Sequence, residues 1–241
     1  KDPLAILAQD AGGGIVIEGN EIRELVPSGK KPSVPCTVFD ASSHVILPGL
    51  VNTHHHFYQT LTRALAPALG KELFDWLKAL YPVWSGLDPE GLAVATELAL
   101  TELMLSGCTT SSDHHYLYPA GLEDAVDIQV AVAAQIGMRV TLTRGSMDLS
   151  QKDGGLPPDS VVQQTDAILI DSERVVNRYH QSGSGAMIQI ALAPCSPFSA
   201  TQDLMRETAA LASRLNVRLH THLGETQDEN DYCEATLGMR P

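Results

Sequence analysis

The spacing of apolar and polar positions changes along the chain. In residues 14–47 the period is short: GIVIEGNEIREL sets two alternating runs about a Gly-Asn pair, which predicts a β-hairpin. A Pro/Gly/Lys-rich bridge, PSGKKPSVP, leads into TVFDASSHVILPGL. From residue 51, strand-like and helix-like runs alternate. VNTHHHF, CTTSSDHHY, MRVTLTRGSM, AMIQIALAPCSP and VRLHTHLGE predict five strands. LFDWLKALYPVW, PEGLAVATELALTELMLSG, GLEDAVDIQVAVAAQIG, DSVVQQTDAILIDSERVVNRYHQ and SATQDLMRETAALASRLN predict the helices around them. Asp88 is the N-cap of the second helix with Pro89 at N1, and Gly107 ends it.

Strands separated by helices imply parallel pairing with right-handed crossovers. An open doubly wound sheet and a (β/α)8 barrel both satisfy that rhythm. The strand C-terminal ends decide between them: HHH, SSDHH, TRGS, APCS and HTHLGE concentrate polar chemistry where a barrel gathers its active-site face. The expected fold class is therefore α/β, a TIM-type (β/α)8 barrel of which five βα units are present. Residues 1–49 form a small β unit and residues 50–241 the barrel portion. No GxGxxG follows the first strand and no GxxxxGK[ST] occurs, so dinucleotide and P-loop binding have no support.

Composition narrows the partners. With 29 acidic against 16 basic residues the formal net charge is −13, which disfavours nucleic-acid backbones and anionic membrane surfaces. Aromatic residues are only 5%, too few for single-strand stacking platforms. No run approaches the roughly 18 apolar residues of a membrane span, and KDPLAILAQD lacks a signal-peptide layout. Cys36, Cys108, Cys195 and Cys233 form no CxxC pair and suit a reduced, cytoplasmic enzyme.

Seven of the nine histidines lie in three strand-end clusters, at 54–56, 114–115, and 220 with 222. In an extended strand His54 and His56 share a face, about 6–7 Å apart, and His55 points away. His220 and His222 repeat that arrangement. Imidazoles so placed predict a metal site for one divalent ion, zinc first and iron second. Glu225, three residues beyond His222, is positioned to move protons between a metal-activated water and a leaving group. The chemistry expected is metal-assisted hydrolysis.

PGLVNTHHH resembles the PGxxDxHxH signature of the amidohydrolase superfamily, with Asn52 where Asp is usual. HLGE is similar to the HxxE of its cytosine, guanine and adenosine deaminase branch. NTHHHFYQTLTRA, LFDWLKALYPVW, GCTTSSDHHYLYP and ALAPCSPFS together resemble the family of 8-oxoguanine deaminases. The resemblance implies that His54, His56 and His222 ligate the metal, and that Glu225 protonates a ring nitrogen during attack on the carbon bearing the amine. It implies a purine contact from Gln59, an apolar wall from Trp76 and a substrate contact from Cys195. His115 and Arg144, at the ends of strands two and three, are expected to line the pocket. It also makes the N-terminal unit one part of a β-sandwich. The substrate implied is 8-oxoguanine or a related purine, with ammonia released and a homo-oligomeric assembly. The HxE…PCxxC zinc pattern of other nucleobase deaminases is excluded, because Pro194-Cys195 is followed by Ser-Pro-Phe.

The superfamily site also takes a histidine from strand six and an aspartate from strand eight. The natural protein is accordingly expected to be longer, roughly 400 or more residues, and residues 1–241 alone not to form an active monomer. Two alternatives accompany the deaminase reading. One is another hydrolase of the superfamily, deaminating a pterin or removing an alkylamine or halide from a triazine. The other is a non-catalytic metal-binding relative, against which the presence of Glu225 counts.

Overall fold

The computed structural model describes residues 10–241, in two compact units: residues 10–49 with Gly183–Gly185, and Leu50–Ser182 with Ala186–Pro241. In the first, β1 (Gly14–Glu18) and β2 (Glu21–Val26) form the expected antiparallel hairpin, with a bulge between Val16 and Ile17. Gly19 opens the turn at φ +63°, a conformation glycine adopts at no steric cost. Residues 27–49 add no strand or helix.

In the second unit β3 (Leu50–Asn52) is followed by helices α1 (Leu73–Trp84) and α2 (Pro89–Leu105). Then β4 (Cys108–Asp113), α3 (Ala125–Ile136), β5 (Arg139–Ser146), α4 (Thr165–Tyr179), β6 (Ile188–Pro194), α5 (Gln202–Leu215) and α6 (Gln227–Leu237) complete it. The sheet runs β3-β4-β5-β6, parallel throughout and in chain order. Each helix from α2 to α5 packs Leu100, Val126, Val175 or Leu211 onto Val140, Leu142, Ile190 and Leu192 of the sheet. Burying each such side chain contributes about 1.5–3 kcal/mol. A second cluster, with Tyr58, Leu77, Tyr81, Trp84, Tyr116, Met147 and Phe198, covers the C-terminal ends of the strands.

Two strands are shorter than the hydrophobic pattern suggests. VNTHHHF keeps only Val51 and Asn52 in the sheet, after Leu50, because the Asn52 side-chain oxygen accepts the His54 N–H at 3.0 Å and turns the chain. Phe57–Thr62 then coils into a 3₁₀ helix. VRLHTHLGE forms a single parallel bridge, Leu219 to Leu192, although Leu192 N–H still donates to Arg218 and His220 N–H to Leu192, both at 3.0 Å. Among the described residues this segment bonds to β6 on one side only, without a second ladder.

Helix signals held better. Asp88 caps α2 by accepting the Gly91 N–H at 2.7 Å, with Pro89 at N1. Gly137 ends α3 in the left-handed conformation. The helix expected from Asp159 is divided into a 3₁₀ turn, Asp159–Val161, and α4. α6 was not anticipated. Its signal is a capping arrangement: Thr226 accepts the Glu229 N–H, while Glu229 reaches back to the N–H groups of Gly224 and Glu225.

The sheet is strongly curved. Five flat strands at about 4.8 Å spacing would hold the outer two backbones about 19 Å apart, more than two imidazole side chains can bridge, yet the rings of His54 after β3 and His220 beside β6 approach to 3.0 Å. Close packing on the site side requires glycine at one point: a Cβ on Gly145 would lie 2.0 Å from the His115 carbonyl oxygen. No helix among the described residues is long and apolar enough to cross a membrane.

Candidate metal centre and active site

The curvature delivers side chains from both edges of the sheet to one place. His56 Nε2 lies 3.1 Å from His54 Nε2 and 3.2 Å from His222 Nε2. His56 Nδ1 is 2.7 Å from the His114 carbonyl, and His222 Nδ1 is 2.9 Å from the Cys195 carbonyl. A carbonyl only accepts, so both rings carry their proton on Nδ1 and keep the Nε2 lone pair. The two lone pairs thus face each other with no proton between them. A cation relieves that contact. Tetrahedral zinc, with Zn–N near 2.0–2.1 Å, sets its ligand nitrogens about 3.3–3.4 Å apart, close to the spacings seen. Burial holds the His56 pKa well below the usual imidazole range, with the neighbouring His222 adding, and lowers His222 as well. The rings are therefore neutral, as ligands must be.

The support beneath this cluster was not read from the sequence. Asp113, fully buried, accepts the Phe57 N–H at 2.7 Å and the Gln129 amide at 2.5 Å. His114 N–H donates to the His55 carbonyl at 2.7 Å. These bonds fasten the end of β3 to the end of β4 on either side of His56. Burial pushes the Asp113 carboxyl up to about 7. His114 lies inside the cluster, its ring stacked on His222 at 4.3 Å with both nitrogens buried and unpartnered among the described residues. His54, His114 and His220 form a second group of converging nitrogens, and His114, Cys195 and His222 a third group of possible ligand atoms. The spacing HTH and the doublet HH carried this signal, but neither says which ring faces which neighbour.

A cavity of about 280 Å³ adjoins the three Nε2 atoms, lined among others by Gln59, Trp76, Tyr116, Cys195 and Glu225. Leu73, Leu77, Tyr81 and Phe198 supply apolar wall. Its size falls just under the roughly 300–1,000 Å³ of sites for drug-sized ligands and suits a single flat ring system. Gln59 donates from Nε2 to the hydroxyl of Tyr58 at 3.2 Å. Partial burial raises the Glu225 carboxyl, the Glu229 charge adds to that, and His54 opposes it. Burial pushes the Cys195 thiol up to about 12, so it meets the cavity as a neutral S–H.

Two expected pocket residues are elsewhere. His115 is fully buried against Tyr58 and Tyr118 and reaches neither this cavity nor the adjoining one. Successive side chains point opposite ways, and His114 takes the inward side. Arg144 is bound instead to Asp171 at 2.6 Å and to Gln163 at 2.9 Å, with its guanidinium over Tyr118. His55 stays out of the converging groups, its ring beside Phe57.

Comparison with known proteins follows the same lines. The amidohydrolase family matches residues 45–240. The chain is 60% identical to 8-oxoguanine deaminase of Pseudomonas aeruginosa, over all of this chain and 54% of that protein. It is 38% identical to hydroxydechloroatrazine ethylaminohydrolase of Pseudomonas sp. (strain ADP), over 91% of this chain and 46% of that one. Its fold superposes on the crystal structure of an atrazine chlorohydrolase from Arthrobacter aurescens TC1 complexed with zinc. There the TM-score is 0.76 at 28% identity, covering 81% of this chain and 44% of that one. The chain spans about half the length of the curated relatives it matches.

Proposed function

Because the chain belongs to the amidohydrolase family, we propose that it serves the hydrolytic deamination of an aminated heterocycle, 8-oxoguanine or a closely related purine. One observation carries this reading: three imidazole Nε2 atoms converge beside a flat-ring cavity that also holds Glu225. The 60% identity to a protein named 8-oxoguanine deaminase supports the choice of ring.

In this reading His54, His56 and His222 hold one divalent ion, zinc in first place. When bound, the ion supplies Lewis acidity that brings the pKa of water to near 7. Glu225, with its raised carboxyl, takes one proton from water and gives it to a ring nitrogen as the hydroxyl adds to the carbon. It then carries the remaining hydroxyl proton to the departing amine as the C–N bond breaks and the carbonyl forms. Trp76 and Phe198 give the ring's position apolar surface, while Gln59 and Cys195 offer polar edges. Net, water replaces the amine on a ring carbon and ammonia leaves. The hairpin-bearing unit ending at Gly49 belongs in this reading to a small β-sandwich. All four cysteines are unpaired, which supports a reducing, cytoplasmic setting.

The test is ammonia release by the zinc-loaded protein at its natural length from 8-oxoguanine, guanine, an aminated pterin and an alkylamino-triazine. The highest kcat/KM is expected for 8-oxoguanine. Stoichiometric zinc with no ammonia from any ring would refute the proposal, and turnover of the triazine alone would move it to alkylamine removal, the activity named for the 38% relative.

A further inference from the structure

Two of the three proposed ligands have their tautomer fixed by main-chain carbonyls, those of His114 and Cys195. Among the described residues His54 has no such carbonyl. For its Nε2 to face His56 as a lone pair, its single ring proton must sit on Nδ1. That Nδ1 lies 3.0 Å from His220 Nε2, an ordinary N–H···N distance. The two rings meet edge-on, with centroids 5.0 Å apart and planes at 67°.

We infer that His220 is the positioning residue for His54: its Nε2 accepts the His54 Nδ1–H and so aims the His54 Nε2 lone pair into the metal centre. The inference rests on the metal-site reading above and extends it to a residue outside the ligand set. Its origin in the fold is the extended run beside β6. Hydrogen bonds from His220 N–H to Leu192 and from His222 N–H to Cys195 keep 218–222 extended, so residues 220 and 222 project to the same side. His222 enters the cluster as a ligand, and His220, two residues earlier, stands behind His54. The same arrangement explains why a second histidine is needed. His54 follows a strand of only three residues, and its own backbone N–H is engaged with Asn52, so local structure fixes the main chain but not the ring.

The alternative occupant of this place is a second cation shared by His54, His114 and His220. The direct Nδ1 to Nε2 contact favours the hydrogen bond: among the described residues neither ring is bound by a carbonyl that would force two lone pairs together there, unlike His56 and His222.

The chain is compared with His220→Gln and His220→Leu. Glutamine keeps an acceptor oxygen near Nε2; leucine keeps bulk without one. Zinc affinity is read by chelator competition, metal stoichiometry by elemental analysis, and the His54 tautomer by ¹⁵N ring spectra of the metal-free proteins. His220→Leu is expected to bind one zinc about 10- to 100-fold more weakly, with His54 in mixed tautomers. His220→Gln is expected to stay close to the parent in both readouts. Equal zinc affinity in the parent and the leucine variant overturns the inference. So does a parent holding two zinc ions of which both variants lose one, because His220 would then be a ligand. A parent that binds no zinc refutes the metal-site reading instead, and the ¹⁵N tautomer of His54 still decides the hydrogen bond.

Discussion

Lone pairs are the currency of this site at the scale of single residues. The carbonyls of His114 and Cys195 leave His56 and His222 with Nε2 free, and Glu225 is left outside that set, facing the same cavity. Glu225→Gln is therefore expected to keep zinc at parental stoichiometry while kcat falls about 100- to 10,000-fold; elemental analysis and ammonia release on one preparation check both halves. Gln59→Ala, which removes a cavity amide without touching a ligand, should lower kcat/KM for the preferred ring by about 1–3 kcal/mol of binding and leave zinc content alone. Much of this was legible in the sequence, since HxH written twice puts each pair of histidines on one face whatever the exact strand limits. What was not legible is facing. His114 and His115 are equivalent in a sequence, and only the point where β4 ends sends the first inward and the second against Tyr118. Arg144 was placed in the pocket for want of knowledge that Asp171, 27 residues away, would bind it.

Among the elements, α6 has the most direct bearing on the chemistry. Glu229, fully buried, accepts the N–H of Glu225 at 2.6 Å and of Gly224 at 3.1 Å, so the helix cap also fixes the main chain of the proposed proton carrier. Glu229→Ala leaves two N–H groups unpaired, a cost of about 1–3 kcal/mol. Thermal unfolding should show it as a fall of about 2–4 °C per kcal/mol, with kcat reduced more than zinc affinity. The sequence contained the cap as Thr226 and Glu229, three apart, with Gly238 to close the helix. It was overlooked because the polar stretch QDENDY carries no apolar stripe. Strand lengths were misjudged for the opposite reason. Hydrophobic patterning marks which residues suit a strand, whereas the Asn52 turn and the one-sided pairing of 218–222 decide how many remain in the ladder.

At the scale of the molecule, the barrel-type reading came from where polar residues cluster along five βα units, and the curved parallel sheet bears it out. The burial that makes such a sheet also makes it sensitive to acid. Burial, with the Arg144 charge adding, holds His115 down to about 3 in the folded state, against an ordinary value of 6.5. The folded chain keeps His115 neutral while the unfolded chain protonates it, so this contribution is intact above pH 6.5 and is lost as pH falls toward 3. Each pH unit in that window removes about 1.4 kcal/mol. His115→Phe keeps an aromatic ring between Tyr58 and Tyr118, and its urea midpoint should fall less steeply with acidification than the parent's between pH 5.5 and 4.5.

The meeting of His56 and His222 has a mechanical meaning as well. They stand 166 residues apart in sequence and follow opposite edges of the sheet, so an ion held between them is a clip across most of the barrel portion. Such a clip removes loop-closure freedom that a helix or hairpin contact cannot reach. Taking the ion away should loosen the rims and spare the middle. In hydrogen exchange, chelation is expected to speed the amides of Leu50–Asn52 and of 218–222, while those at the centre of β5 keep their protection.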